Sequence, residues 1–462
     1  KDFGDHSING VVGVEYGEGF SRSFNASATD MPNGQASLSN GIAQAVGGYN
    51  YGSRSWAWLA QAQYSYKGRY IVSASVRYDE TSRFAPKARG GYFPGASAAW
   101  IVSKEEWLEN VGAIDLLKVR AGYGKTGNDA IENFLWQDIY SLTSQYQNVT
   151  AAILMRQQNP NLGWEEAYMT SVGVDAELLG MLNVTLDLYN IDNKNLLLAV
   201  PLAPSTGFFE FMDNVGTVNN KGIELAVDAD IINTKDWYWN FGFNIGFNKN
   251  RVVYLPNGEF RQGNQIVREG QDIFTWNMPI WAGVDPETGS PTWEKIDAET
   301  GEKTITTTYS EATFQNAGTS SPKFQGGLNT SLSWKGFTLS ATGNFIYGNM
   351  IYNSARVSMD SDGAYTDYNM MSHNNGLGWT RWQKPGDIAT HPKPKMNGNN
   401  DAHMLSTRYL ENGSYFRLKN VTLSYDFPQA WMKKAKMQGL KVYVSGDNLV
   451  TFSKFSGMDP EI

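Results

Sequence analysis

The sequence predicts an all-β chain that forms part of a transmembrane antiparallel β-barrel with long extracellular loops and short periplasmic turns. Three observations lead to this prediction. Apolar and polar residues alternate along many segments, the links between those segments alternate between short and long, and aromatic residues bracket the apolar strand faces. A barrel of this kind needs no long apolar run, because one face of each strand is polar.

The alternation is clearest in the segment "YFRLKNVTLSYDFP", from Tyr415 to Pro428. Its apolar residues fall on one side of an extended strand: Val421, Leu423, Tyr425 and Phe427. Its polar residues fall on the other: Asn420, Thr422, Ser424 and Asp426. A period of two residues is the signature of a β-strand. The pattern does not itself distinguish a protein core from lipid as the surroundings of the apolar face.

The same alternation predicts about thirteen strands along the chain. They lie near residues 8–20, 54–66, 69–79, 91–102, 115–124, 164–178, 181–193, 218–232, 236–249, 321–335, 336–348, 409–427 and 438–452.

The links between these strands alternate in length, which favours a barrel over a sandwich. The short links are Lys67–Gly68, Leu179–Gly180, Asn233–Lys235, Lys335–Gly336, 103–114 and 428–437. The longer links are 21–53, 80–90, 125–163, 194–217, 250–320 and 349–408. Outer-membrane barrels have this asymmetry, with short turns at the periplasmic rim and long loops outside the cell. A Greek-key sandwich has no reason to maintain it over so many strands.

Aromatic residues bracket the apolar strand faces. Tyr70 and Tyr78, for example, flank Val72, Ala74 and Val76 on one face. Eight to ten residues of a strand tilted by about 45° span roughly 19–23 Å along a membrane normal. This span approaches the apolar band of about 25 Å that aromatic girdles flank in membrane barrels.

Composition excludes several classes of function. The net charge of -8 argues against a nucleic-acid partner, which would require a basic patch. The absence of cysteine excludes disulfides and thiolate metal sites, and four histidines leave little material for any other metal site. We expect no metal and no cofactor. The N-terminal "KDFGDHSING" lacks the apolar region of a signal peptide, so the chain is either a mature product or begins within a longer protein.

Several segments resemble the SusC/RagA-like TonB-dependent transporters of Bacteroidota outer membranes. They include "YDETSRFAPKARGGYFPGASAAWIVSKEEWL", "LLKVRAGYGKTGND", "NPNLGWEEAYMTSVGVDAELLGMLNVTLDLYN", "NVGTVNNKGIELAVDADI", "GVDPETGSPTW" and "LKVYVSGDNLVTFSKFSGMDPEI". They occur in the order of the family and cover most of the chain. The resemblance implies a 22-stranded barrel around an N-terminal plug. It also implies import of glycan or peptide fragments driven through TonB, with a SusD-like surface lipoprotein as a lid.

The chain departs from that family at both ends, since it shows no TonB box, no plug, no early strands and no closing strand. We therefore expect residues 1–462 to be the C-terminal part of the barrel, completed by other polypeptide. The expected partners are a SusD-like lipoprotein, TonB acting through an N-terminal region outside this chain, the rest of the barrel with its plug, and an oligosaccharide or peptide substrate. Lipid or lipopolysaccharide is a further expected partner, with Arg417 and Lys419 facing its anionic head groups.

Candidate site residues fall in two groups. Exposed aromatic residues of outer loops stack on sugar faces, and this chemistry nominates Trp276, Trp281, Trp379, Arg381 and Trp382 as substrate-binding residues. The segment Gly376–Asp387 is the best single candidate for ligand or lid contact. The alternative is that these tryptophans form small cores within the loops. The predicted lumen-facing residues are Asn183, Thr185, Asp187, Thr338, Thr342, Asn420, Thr422 and Ser424.

Other motifs favour ordinary turns over catalysis. "GYGKTG" at Gly122–Gly127 matches a dinucleotide pattern but lacks a following helical period. Asp285–Gly289 and Asp297–Gly301 lack the ligand spacing of a full calcium loop and predict hairpin turns. The leading hypothesis is a transporter rather than an enzyme. The alternatives left open are a non-transporting surface glycan-binding protein or adhesin and, third, a soluble β-rich glycosidase.

Overall fold

A computed structural model of the chain describes residues 1–34, 37–147, 149–256, 258–365 and 378–461. Fourteen strands form one sheet in which each strand lies beside the next one of the set along the chain. The strands are Asp2–Phe3, His6–Thr29, Ile42–Tyr66, Tyr70–Thr81, Gly90–Ile101, Ile114–Asn128, Glu165–Leu178, Leu182–Lys194, Thr217–Asn233, Trp237–Tyr254, Phe324–Trp334, Phe337–Tyr347, Tyr415–Asp426 and Lys441–Ser453. The predicted antiparallel β-fold is confirmed.

All thirteen predicted strands are present, but the link predicted at 21–53 is wrong. His6–Thr29 and Ile42–Tyr66 pair continuously up to Thr29 opposite Ile42, so only residues 30–41 connect them. Glycine, serine and asparagine are frequent in this stretch and hide the alternation of side chains. Ladder hydrogen bonds depend on the backbone alone, so the hairpin forms without a clear side-chain pattern.

The long links contain small sheets of their own, which the sequence analysis did not resolve. They are Ile139–Tyr146 with Val149–Arg156; Leu197–Pro201 with Glu210–Asn214; Phe260–Gln262, Gln265–Val267, Thr275–Pro279 and Phe314–Thr319; Trp281–Val284, Pro291–Ile296 and Lys303–Thr306; and Met350–Tyr352 with Leu410–Asn412. The predicted turns at Asp285–Gly289 and Asp297–Gly301 are confirmed, since they join the strands of the fourth set.

Helical segments are few and short. The α-helices are Ser354–Met359 and Gln429–Lys434, and the 3-10 turns are Leu38–Asn40, Val102–Lys104, Pro204–Thr206, Tyr309–Glu311 and Thr407–Tyr409. Among the described residues, no helix has both the length and the apolar character needed to cross a membrane.

The predicted tight turns are confirmed by their backbone geometry. Lys67 and Gly68 both have positive φ, at 50° and 59°, and Leu179 and Gly180 follow at 57° and 62°. Two successive residues with positive φ match the twist of the flanking strands, and glycine adopts this conformation without a Cβ penalty.

The chain divides into two compact units. The first unit comprises Lys1–Trp107, Lys118–Val172 and Asn190–Val218. The second unit comprises Leu108–Leu117, Gly173–Tyr189 and Asn219–Ile462.

In the second unit, one face of the sheet carries exposed apolar rows. An aromatic row runs across four strands, with Trp237 opposite Trp334, Trp334 opposite Phe337, and Phe337 opposite Tyr425. The next row on this face consists of Leu332, Leu339, Leu423 and Val444 in register. Leu423 is 47% exposed and Val444 is 70% exposed. A contiguous exposed apolar face of this kind marks a surface that something apolar covers.

The first unit carries matching aromatic rows. Tyr70 stacks on Tyr66 and on Trp100, with ring centroids 6.4 and 6.5 Å apart. Tyr78 lies at the other end of the same strand, 4.7 Å from Tyr92 between ring centroids. The brackets expected from the sequence therefore continue across neighbouring strands, as girdles do in membrane barrels.

A β-bulge corrects the predicted position of Arg417. Lys419 is skipped in the pairing on both sides of its strand, so the residues before it change face relative to those after it. Arg417 is consequently 6% exposed and pairs with Asp459 and Glu461. The prediction that Arg417 faces lipid head groups is wrong, and the Lys419 ammonium lies 2.7 Å from a Glu461 carboxylate oxygen.

Candidate functional site

The polar face of the second unit surrounds a cavity of about 690 Å³. Two of the predicted lumen-facing residues, Thr185 and Asp187, line it. The other polar residues of its wall are Glu224, Asn244, Gln325, Asn344, Tyr415 and Glu461. Asn183 lies two residues before Thr185 in the same strand, so the strand geometry places it on the same face.

The polar residues of strand Tyr415–Asp426 are joined by side-chain hydrogen bonds. Thr422 Oγ1 donates to Asn420 Oδ1 over 2.9 Å and lies 2.8 Å from Ser445 Oγ. Asn420 Nδ2 also donates to Asp447 Oδ1 over 2.8 Å. These contacts confirm that Asn420 and Thr422 share one face. Ser424, on the same face, is 7% exposed.

The neighbouring strand continues this face. Thr342 pairs with Asn420 in the ladder, and Thr338 pairs with Ser424. The Thr338 hydroxyl lies 2.9 Å from the Ser333 hydroxyl. The structure thus brings Thr338 and Thr342 onto the polar face as expected; that this face lines a lumen remains a prediction.

In the first unit, a charged cluster that the sequence analysis missed lies on the polar face. Arg77 Nη2 lies 2.6 Å from Glu15 Oε2, and Arg77 Nε donates to Asp79 Oδ2 over 2.8 Å. Arg77 and Asp79 alternate with apolar neighbours in strand Tyr70–Thr81, and this alternation in the sequence places both charges on the same face of the strand. Glu15 lies in a strand 62 residues earlier, so local pattern alone did not identify the pair.

Two of the five candidate substrate-binding residues, Trp281 and Trp382, pack within the outer loops. The Trp281 ring lies 5.6 Å from the fully buried Trp293, and the Arg408 guanidinium lies 5.0 Å from the Trp281 ring. Trp382 is 7% exposed, and its Nε1 donates to the Pro286 carbonyl over 2.8 Å. These contacts match the alternative in which the loops carry small cores.

Trp276 and Trp379 are each half-buried. Trp276 Nε1 donates to the Met350 carbonyl over 3.0 Å. The Arg356 guanidinium lies 4.3 Å from the Trp379 ring centroid, and His391 packs near the same ring. Residues 366–377 lie outside the described part of the chain, and Trp379 comes shortly after them. Two residues of the segment nominated from the sequence, Gly376 and Leu377, fall within that undescribed stretch. The ligand-binding role of the five residues stays a prediction.

Arg381, the fifth candidate, belongs to a buried charge cluster centred on Asp362. Arg381 Nη1 donates to Asp362 Oδ1 over 2.8 Å, and the Arg408 guanidinium pairs with the other carboxylate oxygen. Asp362 is 1% exposed. Two cations on one buried carboxylate satisfy a charge that would otherwise be very costly to bury. Arg381 therefore has a structural partner that sequence reasoning did not identify.

Asp360 forms a second buried carboxylate in the same loop. Burial disfavours its charged form, but His391 and Arg356 outweigh that effect and lower the pKa of Asp360 below its ordinary value. The contacts are 3.2 Å from His391 Nε2 and 2.8 Å from Arg356 Nε to Asp360 Oδ2. Contacts of this kind hold two distant loop segments together, because His391 and Asp360 lie 31 residues apart.

Within the described part of the chain, no group of three or more histidine, aspartate or glutamate side chains is placed to hold a metal ion. The segment "GYGKTG" lies inside strand Ile114–Asn128, so its glycines belong to a strand rather than to a phosphate-binding turn.

Comparisons with known proteins agree with this geometry. Residues 2–449 match the family model described as TonB dependent receptor-like, beta-barrel. TonB-dependent receptor P3 of Formosa agariphila is 27% identical over 100% of this chain and 48% of its own length. TonB-dependent receptor SusC of Bacteroides thetaiotaomicron is 26% identical over 88% of this chain and 41% of its own length.

Solved structures show the same fold. The RagAB peptide importer in its closed-closed state superposes with a TM-score of 0.87, at 24% identity, over 100% of this chain and 51% of that chain. The open-open state gives a TM-score of 0.85 at 23% identity over 99% of this chain and 50% of that chain. The chain spans about half the length of the curated relatives it matches. With the family model matching nearly its whole length, this chain belongs to the TonB-dependent receptor β-barrel family of outer-membrane proteins.

Proposed function

We propose that this chain forms the C-terminal part of a barrel that imports oligomeric nutrients across the outer membrane with energy from TonB. The observation that carries the proposal is the family match over residues 2–449, combined with a continuous polar face opposite an exposed apolar one. In such a barrel the apolar face contacts lipid and the polar face lines the lumen or contacts a plug.

The substrate in this proposal is a glycan or peptide fragment, and a SusD-like lipoprotein covers the barrel from outside. The names of some relatives support import: one curated relative is the TonB-dependent receptor SusC, and some of the structural neighbours are states of the RagAB peptide importer. The cavity lined by Thr185 and Asp187 supplies polar groups along the path of such a substrate. TonB acts through a region outside this chain, and the remaining barrel and plug complete the channel.

An uptake assay on the full-length receptor tests the proposal. Cells expressing it are given fluorescently labelled oligosaccharides or peptides, and uptake is compared between a strain with working TonB and one with TonB disabled. We expect import to be lost without TonB while surface binding persists. Undiminished import in the TonB-deficient strain would contradict the proposal, and binding without import in both strains would favour a non-transporting adhesin.

A further inference from the structure

The hairpin formed by His6–Thr29 and Ile42–Tyr66 extends beyond its neighbour in the first unit. Strand Tyr70–Thr81 pairs with residues from Ser55 to Tyr66, and Arg54 is hydrogen-bonded to Ser82, so among the described residues positions 42–53 have no strand paired on that side. The pairing with His6–Thr29 nevertheless continues along this stretch. The result is a two-stranded extension at the end of the sheet opposite the tight turn at Lys67 and Gly68.

Two tyrosines lie on the polar face of this extension. Ala57 pairs with Asp79 in the ladder and with Glu15 on its other side, which places Ala57 on the polar face. Tyr49 and Tyr51 are each an even number of residues from Ala57 with no bulge between, so they share that face. Their ring centroids lie 5.2 Å apart with an interplanar angle of 19°.

The residues opposite the tyrosines leave the stacked pair partly exposed. Tyr51 pairs with Ser21, and Tyr49 pairs with Ser23. Serine side chains are too short to cover an aromatic ring, and Tyr49 and Tyr51 accordingly remain 54% and 40% exposed. The two rings stack on each other, so each covers part of its neighbour, and the pair forms an aromatic platform whose remaining surface is exposed.

A second wall faces this platform across a cavity of about 760 Å³. Phe134 and Arg83 line that wall, while Ser21 and Ser53 line the hairpin side. The volume lies within the range of about 300–1,000 Å³ that is typical of small-molecule sites. The cavity belongs entirely to the first unit.

The second wall is held in a fixed conformation. Phe134 has a φ of 66°, an uncommon left-handed conformation for a bulky aromatic residue, and the residue is 37% exposed. The Phe134 carbonyl accepts from the Gln137 backbone N–H over 3.0 Å. Arg83 Nη1 donates to the Asp129 carbonyl over 3.0 Å. Backbone strain of this kind persists where surrounding contacts enforce it, and it is concentrated at binding sites.

The chemistry of the lining selects the ligand class. Arg83 lies 3.7 Å from the Asp129 carboxylate, so its charge is already balanced and an anionic ligand gains little there. Serine and tyrosine hydroxyls match a polyhydroxylated ligand, and aromatic faces match the C–H faces of sugar rings.

We propose that Tyr49, Tyr51 and Phe134 form a binding site for a neutral oligosaccharide on the polar face of the extended hairpin. The role of this site, which is to capture substrate, rests on the proposed import function. Because the stacked pair is partly exposed and the opposite wall is already fixed, the site needs no large rearrangement to accept a sugar chain. It lies apart from the loop tryptophans nominated from the sequence.

Calorimetric titration of the purified full-length receptor in detergent tests the site. The probes are neutral oligosaccharides of six or seven units (α-glucan, β-glucan, mannan and xylan), an oligogalacturonide as the anionic comparison, and an unlabelled heptapeptide. The variants are Tyr49→Ala and Tyr51→Ala, with Tyr146→Ala as the control, since Tyr146 is an exposed tyrosine outside the cavity. Ser21→Trp is a further variant that keeps both tyrosines and fills the space above them.

We expect at least one neutral oligosaccharide to bind, with affinity falling about five- to tenfold in each alanine variant. Ser21→Trp should reduce binding at least as much, while Tyr146→Ala should bind as the wild type does. If no neutral oligosaccharide binds, or if all variants bind alike, the proposed site is overturned. Preference for the oligogalacturonide or the peptide overturns the ligand class.

These outcomes are separate from the test of import, because binding in detergent does not require TonB. A receptor that imports through TonB but binds sugars equally well in every variant would retain the proposed function without this site. Sensitivity to Tyr49→Ala in a receptor that imports without TonB would support the site and contradict the proposed function.

Discussion

An arginine placed at Val421 should destabilise the barrel far more than one placed at the adjacent Thr422. Val421 lies on the apolar face, where its ladder partners are Ala341 and Gly446. Thr422 lies on the polar face and is hydrogen-bonded to Asn420. The two positions share a strand and a depth, so the comparison isolates the effect of the face.

The free-energy cost of an arginine at each position follows from the spacing of the aromatic rows. Phe337 and Phe345 lie eight residues apart on one strand, which is about 19 Å along the membrane normal for a strand tilted by about 45°. Val421, opposite Ala341, lies midway between these rows, where an arginine costs about 2–4 kcal/mol. The cost should fall toward about 0–1 kcal/mol at Tyr425, with Leu423 intermediate. Thr422→Arg should cost about 1 kcal/mol, from lost hydrogen bonds.

The measurement is the free energy of unfolding in urea of the full-length receptor folded into lipid vesicles. We expect the loss of stability to follow Val421→Arg > Leu423→Arg > Tyr425→Arg, with Thr422→Arg well below Val421→Arg. Equal losses at Val421 and Thr422 would refute the assignment of the two faces. A flat profile from Val421 to Tyr425 would refute the position of the lipid midplane.

Three further predictions concern the charges of the loops and of the bulged strand. Asp362→Ala should release the buried Arg408 and cost about 3–5 kcal/mol, seen as faster limited proteolysis of the outer loops. Arg417→Ala should cost about 1–3 kcal/mol by removing the guanidinium that pairs with Asp459 and Glu461, and a double-mutant cycle of Arg417 and Glu461 should show positive coupling. Burial is the main cause that lowers the pKa of His403 below its ordinary 6.5. A lowered folded-state pKa contributes stability above pH 6.5, so loop stability should fall as the pH drops below that value.

Each of these predictions has a control. Glu287→Gln removes an exposed loop carboxylate and should leave the proteolysis rate unchanged, so an equal effect would argue against the Asp362 cluster. Strict additivity of Arg417→Ala and Glu461→Gln would show that the pair contributes nothing. His403→Gln should flatten the pH dependence between pH 5 and 7, monitored by tryptophan fluorescence; a slope that persists in this variant would assign it to other groups.

The strands of the main sheet were predictable because their side chains carry a period of two. The strand segments 21–29 and 42–53 were predicted as part of a link, because glycine and serine on both faces leave no contrast between apolar and polar residues. The bulge at Lys419 escaped it for a different reason. A single extra residue moves Arg417 to the other face, and only the pairing with the neighbouring strands reveals it.

The candidate site was predictable on the strands but not in the loops. Thr185 and Asp187 were placed on the polar face by alternation, and the structure places both at one cavity. Trp382 and Arg381 were nominated from residue type alone. Their partners, Pro286 and Asp362, are 96 and 19 residues away in the chain, and such contacts leave no periodic signal in a single sequence.

Cysteine scanning along strand Tyr415–Asp426 tests most directly the claim that this chain is part of a membrane barrel with a polar lumen. The chain has no cysteine, so single substitutions from Asn420 to Ser424 can each be probed with a membrane-impermeant maleimide in the full-length receptor, cleared of any other cysteine. A lipid-soluble quencher reports which of these positions are exposed to lipid. We predict that positions 420 and 422 react with the maleimide, while positions 421 and 423 are quenched from lipid. Maleimide labelling of both sets, without quenching at 421 and 423, would contradict the claim.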